Sequence, residues 1–231
     1  MLFEKGENIF ESEKERNFYM KFFAGYFLNE LIPGSAKRLS QFWDILLASW
    51  RNIPKAQENV DYKDILRSDK EVLVINNGEI SVVTEPNNMN PDFVHVSFDN
   101  HAYTEDNGEF ADVLIYDHKT LATAVALEVK YKTNYDIQKD VCRNANRIKW
   151  ISMRLTKTLF IPCLLLTKHK WDKSSHQREA YIGCNIILWD DLVAVCEKEE
   201  IKNYFEYQLR LPQKPRYEFT NNKWVRKSKV L

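Results

Sequence analysis

Asp112, Glu128 and Lys130 are residue types that, brought together, could hold a divalent cation and act on a phosphate ester. Asp112 opens one apolar run, and Glu128-Val129-Lys130 closes a second. A hard cation such as Mg²⁺ takes oxygen ligands and keeps several waters, so two carboxylates from neighbouring strands suit it. If the two runs are antiparallel neighbours, Asp112 and Glu128 fall at the same end of a sheet. The Val129 carbonyl then points into the same space, and Lys130 projects from the same face as Glu128. A cation on Asp112, Glu128 and the Val129 carbonyl would polarise a scissile phosphate and lower the pKa of a bound water. Lys130 would orient that water or stabilise charge developing on phosphorus.

The acid-x-Lys pattern alone says little, because it recurs at Asp61/Lys63, Asp117/Lys119 and Glu200/Lys202. Only Glu128/Lys130 ends a long apolar run, follows an Asp-led run and precedes a basic helix. The competing reading is a strand-end ion pair, since charges at the end of a buried strand demand compensation.

The elements that must position these residues are readable in outline. Residues 12–31 are expected to form a helix with a wide aromatic face (Phe18, Phe22, Phe23, Tyr26, Phe27), ended by Pro33-Gly34. Ser35 can cap a second helix over 36–50. Residues 71–84 read as a hairpin about Asn77-Gly78. Strands are expected at 93–99, 111–117 and 122–131, as a meander. The last is apolar on both faces and reads as a covered, central strand.

A helix over 136–157 follows. Ile137, Val141, Ala145, Ile148 and Leu155 form its apolar stripe, and Lys139, Arg143, Arg147 and Arg154 its far side. Then come an apolar run at 159–166, a polar loop at 168–178, a strand at 181–188, and a helix opened by Trp189-Asp190-Asp191. The tail after Pro212 reads as basic and irregular. Strands flanked by helices predict an α/β layer structure. No Gly/Ser-rich linker interrupts the chain, so 1–231 is expected to be a single domain.

Composition bounds the function. The chain is 44% hydrophobic and 29% charged, which is ordinary for a globular domain. Its four cysteines form no Cys-x-x-Cys pair, the first residues lack an apolar signal core, and no run suits a membrane span. The expectation is a reducing, cytoplasmic setting with free thiols and no membrane. The formal net charge is zero, yet 85–118 carries acids without Lys or Arg, whereas 119–157 and 212–231 are basic. Acid beside base is expected where a protein holds a cation and a phosphate chain. Phosphate-loop, dinucleotide and nucleophile-elbow motifs are absent. His169 and His176 lack a cysteine at finger spacing, so zinc has no support.

Asp112, then Glu128-Val129-Lys130, within a helix, three-strand meander, helix, strand order, resembles the PD-(D/E)XK nuclease superfamily. The resemblance covers roughly 12–192 in element order and about four residues in motif. It implies a restriction-endonuclease-like core, with a central mixed β-sheet whose three-strand meander is flanked by helices. It also implies Mg²⁺-dependent phosphodiester cleavage, with Mn²⁺ as substitute, in DNA or less often RNA. Members often carry a Gln on the helix after the Lys, and Gln138 fits that place. Many use a Glu from the first helix, for which Glu30 is the natural candidate. The residue before Asp112 is Ala111 rather than Pro. A literal Pro91-Asp92 occurs earlier, but it lies across an extra strand from Glu128.

The reading that follows is a metal-dependent endonuclease on double-stranded DNA, of a restriction or defence system, working as a homodimer because double-strand cutting needs two sites. Asp112, Glu128, Lys130 and Gln138 would form its site. Lys132, Lys139, Arg143 and Arg147 would contact flanking phosphates. Residues 35–90 form a candidate recognition insert, and 212–231 a basic tail. Two alternatives stand beside it: a non-catalytic nucleic-acid-binding protein on the same fold, and an RNA-cleaving or signal-activated effector.

Overall fold

The computed structural model describes residues 14–48, 71–84, 89–101, 109–131, 137–173, 184–211, 217–220 and 223–226. The chain is an α/β protein built on a seven-stranded mixed sheet flanked by helices. Helix α1 (Glu15–Phe22) runs into a π turn (Phe23–Phe27), and α2 spans Ser35–Ala48. A hairpin follows, β1 (Glu71–Asn76) and β2 (Glu79–Thr84). The expected meander is present as β3 (Val94–His101), β4 (Glu109–Asp117) and β5 (Thr123–Lys130), each antiparallel to the next. Next come α3 (Ile137–Ser152), β6 (Leu159–Leu166), α4 (Lys168–Lys173), β7 (Asn185–Leu188), α5 (Trp189–Ala194) and α6 (Glu199–Arg210).

The sheet order is β2-β1-β6-β5-β4-β3, with β7 also on β6. Strand β6 lies parallel to β5 and β7, so the carboxyl ends of β5, β6 and β7 come out at one edge. β6 is flanked on its other side by β1, through Ile75 opposite Phe160, and then by β7 from Cys163 onward. Pro162, which has no N–H to donate, stands at the changeover. Asn185 is fully buried there. Its amide donates to Leu73 O at 2.9 Å and to Pro162 O at 3.0 Å, while its Oδ1 accepts from Leu73 N at 3.2 Å. One side chain thus satisfies backbone groups where two strands meet end to end.

Alternation along the strands sorts the core into two layers. Val113, Ile115, Val125, Leu127 and Val129 pack with α1, α2, α5 and α6. Ala124, Ala126 and Phe160 pack on the other face with Ile148 and Ile151 of α3. The first layer is knit by rings: Phe18 stacks on Tyr131 at 4.0 Å and meets Trp189 and Phe205 edge-on. Arg38 of α2 is 2% exposed, and its guanidinium donates to the carbonyls of Phe27, Ile32 and Pro33. A cation thereby answers carbonyls around the end of the first helical unit. Asn77 and Gly78 have φ of 47° and 81°, the pair of left-handed residues that a two-residue hairpin turn demands.

Several elements differ from expectation. The long helix stops at Ser152, whose hydroxyl donates to Lys149 O and accepts from Gly78 N, docking the helix end on the hairpin turn. Leu155, expected on the buried stripe, is therefore 48% exposed. The loop expected from 168 begins as α4, because Asp190 accepts from Lys168 N at 2.6 Å and Thr167 from Lys170 N. The tail is not irregular throughout: Tyr217–Thr220 (β8) and Lys223–Arg226 (β9) pair antiparallel, as their aromatic and β-branched content favours. Within the stretch 35–90, expected as an insert, α2 and β1 contribute to the core, whereas β2 is mostly exposed. Leu39, Phe42, Trp43 and Leu46 of α2 and Val72 and Val74 of β1 belong to the main core cluster.

Candidate active site

Strands β4 and β5 pair through Val113 opposite Leu127. One step further in that register, Asp112 faces Glu128 across the gap, and the two side chains leave the same face. Formal pairing has stopped there, and Asp112 takes over from the ladder: its Oδ2 accepts from Val129 N at 2.7 Å. A strand residue directs its N–H and C=O to the same edge, so the Val129 carbonyl also lies on the Asp112 side. Lys130 Nζ sits 2.6 Å from Glu128 Oε1, with the two side chains 15% and 17% exposed.

The opposite edge of β4 is also broken. Phe98 pairs with Val113 and Asn100 with Ala111, leaving Asp99 level with Asp112. Asp99 has φ of 49°, in the left-handed region, which turns it out of the ladder. Its carboxylate instead accepts from Tyr19 OH and Arg16 Nε, each at 2.7 Å, and pairs with the Arg16 guanidinium.

Two further charged side chains converge from helices. Glu15, in the first turn of α1, accepts from Tyr131 N at 2.6 Å, directly after Lys130 in the chain. Lys170 lies on α4, which starts just beyond Leu166, the β6 partner of Lys130. The electrostatics record this proximity. Burial pushes the Asp112 carboxyl well above the usual carboxylate range, and Glu128 and Glu15 push it further. The Val129 N–H and Lys130 only partly oppose them. Burial also brings the Lys170 ammonium down to about 8; Glu15 opposes that fall and Lys130 adds to it. The Tyr19 hydroxyl is raised by burial and by its bond to Asp99, with Asp112 contributing.

Asp112, Glu128, Val129 and Lys130 are therefore brought together, as the spacing suggested. Gln138 and Lys139 belong to the first turn of α3, whose side chains lie outside the described residues, as does Lys132. Arg143 is exposed and Arg147 half-buried on the same helix. Glu30 is exposed, in a turn beyond the far end of the α1 unit; Glu15, at the near end, is the α1 acid that reaches the end of β5. Asp92 is exposed, ahead of Val94, which pairs with Asp117 at the opposite end of β4. Lys170 and Asp99 were not singled out from sequence. An acid in the first turn of the predicted helix was the available signal for Glu15. Nothing local marked the other two.

The donor set suits a hard cation. Among the described residues no three His, Cys, Asp or Glu side chains form a ready-made cage. Asp112 and Glu128 nonetheless face each other with surplus negative charge, which burial and mutual repulsion make costly and which a divalent cation would relieve. One oxygen of each carboxylate is engaged, by Val129 N–H and by Lys130, so Oδ1 of Asp112 and Oε2 of Glu128 would serve as ligands beside the Val129 carbonyl. Two carboxylates and a carbonyl form the kind of partial set on which Mg²⁺ keeps waters. A separate groove of about 450 Å³, lined by Gln41, Asp44, Ile45 and Asp191, lies between α2 and α5, away from this cluster. Comparison with known proteins finds no matching family model, no matching curated protein and no matching solved structure.

Proposed function

We propose that the chain is a Mg²⁺-dependent endonuclease that hydrolyses phosphodiester bonds in DNA, on a restriction-endonuclease-like core. The observation that carries the reading is the opposition of Asp112 and Glu128 across β4 and β5, with Lys130 on the same face. Glu15, reaching the same strand end from α1, adds to it.

Asp112, Glu128 and the Val129 carbonyl hold the cation, which when bound acts as a Lewis acid toward phosphate and water. Lys130, restrained against Glu128, presents its ammonium to the water or to the charge that develops on phosphorus. The Val129 N–H fixes the Asp112 carboxylate so that it is not free to rotate out of the site. Glu15 ties the N-terminus of α1 to the end of β5 and sets the helix against the cluster. Gln138 positions the water or a neighbouring ligand. Lys132, Lys139, Arg143 and Arg147 contact flanking phosphates, and two copies act together on a duplex.

Purified protein is incubated with supercoiled plasmid in Mg²⁺, Mn²⁺ or EDTA, beside Lys130→Ala. Metal-dependent nicking or linearisation that the variant lacks supports the reading. Cutting that survives Lys130→Ala overturns the site assignment. Tight, salt-sensitive binding without cutting favours a non-catalytic nucleic-acid-binding protein, for which the Glu128–Lys130 ion pair is a structural strand-end contact.

A further inference from the structure

Resting on the nuclease reading, we propose that Lys170 is the second cation of the site and binds the phosphodiester being cut, giving the metal-loaded cluster a charge matched to one phosphodiester. Its placement comes from the topology. β5 and β6 are parallel, Lys130 pairs with Leu166, and α4 starts immediately after Thr167, with its Trp171 packed in one cluster with Leu164 and Leu166 of β6. Lys130 therefore leaves the carboxyl end of β5 and Lys170 the helix that follows β6, close enough for Lys130 to disfavour the charge on Lys170. Both are substantially withdrawn from solvent. Two such ammoniums side by side are costly unless anions compensate them.

The charges of the cluster bear on what that anion is. Glu15, Asp112 and Glu128 bring three negative charges, and Lys130 and Lys170 two positive ones. Arg16 and Asp99 cancel each other beside them. With all of these ionised, the protein contributes one net negative charge. A divalent cation reverses that to one net positive charge, and a phosphodiester, a monoanion, neutralises it. Without Lys170 the same count leaves the loaded cluster neutral, so the phosphodiester is held by the cation and Lys130 without a surplus positive charge. The Glu15 charge favours the protonated form of Lys170. Lys170 is thus a substrate-binding residue that the acid-x-Lys motif does not contain.

The test is binding of a fluorescein-labelled DNA duplex, followed by anisotropy over a salt series. Ca²⁺ stands in for Mg²⁺ as an oxygen-liganded cation of equal charge. Wild type, Lys170→Gln and Lys170→Arg are compared, with cleavage kinetics in Mg²⁺ and thermal unfolding of each. Lys170→Gln is expected to weaken binding about tenfold and to make the salt slope shallower by about 1. KM rises while kcat changes far less, and Lys170→Arg restores most of the affinity. A wild type that cuts DNA, beside a Lys170→Gln variant with unchanged affinity and slope, overturns the assignment and leaves the nuclease reading standing. Lys170→Arg as impaired as Lys170→Gln also overturns it, since the residue then acts through packing rather than charge. A wild type that neither binds nor cuts a duplex removes both proposals.

Discussion

Asp112 and Glu128 stand opposite each other one step past the last paired residues of β4 and β5, and Asp112 bonds across the gap to Val129 N–H. Ladder pairing ends where the carboxylates begin, so two acids share one face at the mouth of a sheet. The arrangement is costly for the protein alone, because burial and Glu128 both oppose ionisation of Asp112.

The cost has a sign that can be measured. The Asp112 carboxyl is raised in the folded state, so the unfolded chain releases that proton first. Between the ordinary carboxylate value and the folded value, the native state holds more protons, and stability falls as pH rises. In EDTA, Asp112→Asn is expected to remove that slope and to be more stable than wild type at neutral pH. Added Mg²⁺ should stabilise wild type, by about 2.7 kcal/mol at a hundredfold excess over Kd, and leave the variant unmoved. Thermal unfolding across pH 5 to 9, with and without Mg²⁺, reads all three effects. Equal Mg²⁺ shifts in both proteins would show that the cation binds elsewhere.

Lys130→Ala leaves Glu128 facing Asp112 without the ammonium 2.6 Å away. Metal-dependent cleavage should fall by about 10²- to 10³-fold, the usual effect of losing one charge-stabilising donor at a reacting phosphate or acyl centre. The variant should retain its Mg²⁺-dependent thermal shift, because the ligands remain. Single-turnover cleavage and unfolding on the same preparation separate loss of chemistry from loss of metal.

Asn185→Ala should be among the most destabilising single changes in the sheet. It removes three hydrogen bonds, to Leu73 N, Leu73 O and Pro162 O, at a fully buried junction. Unsatisfied buried backbone groups cost about 1–3 kcal/mol each, with partial relaxation, so a total of about 3 kcal/mol is expected. Urea unfolding monitored by tryptophan fluorescence gives the value. A loss below about 1 kcal/mol would mean that β1 and β7 meet without this bridge.

Asp99 is held in the left-handed region at φ 49° and bonded to Tyr19 and Arg16. Asp99→Asn keeps a residue tolerant of that conformation and loses the ion pair, which is largely solvent-exposed on the Arg16 side, so its cost should be under about 1 kcal/mol. Asp99→Val adds β-branched strain and strands the Tyr19 hydroxyl, and should cost about 2–3 kcal/mol. If unfolding shows the two variants equally stable, the backbone at 99 is not what constrains the edge of β4.

Much of the framework was legible because short-range chemistry specifies it. The Asn77-Gly78 pair dictated a hairpin turn, alternation and β-branched content gave the meander, and the doubly apolar 122–131 segment announced a central strand. The proximity of Asp112, Glu128 and Lys130 was also readable, since antiparallel neighbours of those lengths bring both acids to one end. Where the helix of 136–157 stops was not readable, because Ser152 is held by the turn at Gly78, far away in sequence.

What the tertiary structure alone decided is which distant groups complete the cluster. Choosing Glu15 over Glu30 depends on which end of α1 abuts β5, and that follows from Phe18 stacking on Tyr131. Lys170 arrives because β6 runs parallel to β5 and carries α4 to the same edge. Asp99 comes level with Asp112 through the register of β3 on β4, and its left-handed backbone, which its residue type does not signal, turns it out of the ladder. Local sequence encodes turns, periodicity and strand-end charges through the few bonds between near neighbours. Contacts between groups far apart along the chain depend on which faces bury together, and that is determined only when the whole core packs.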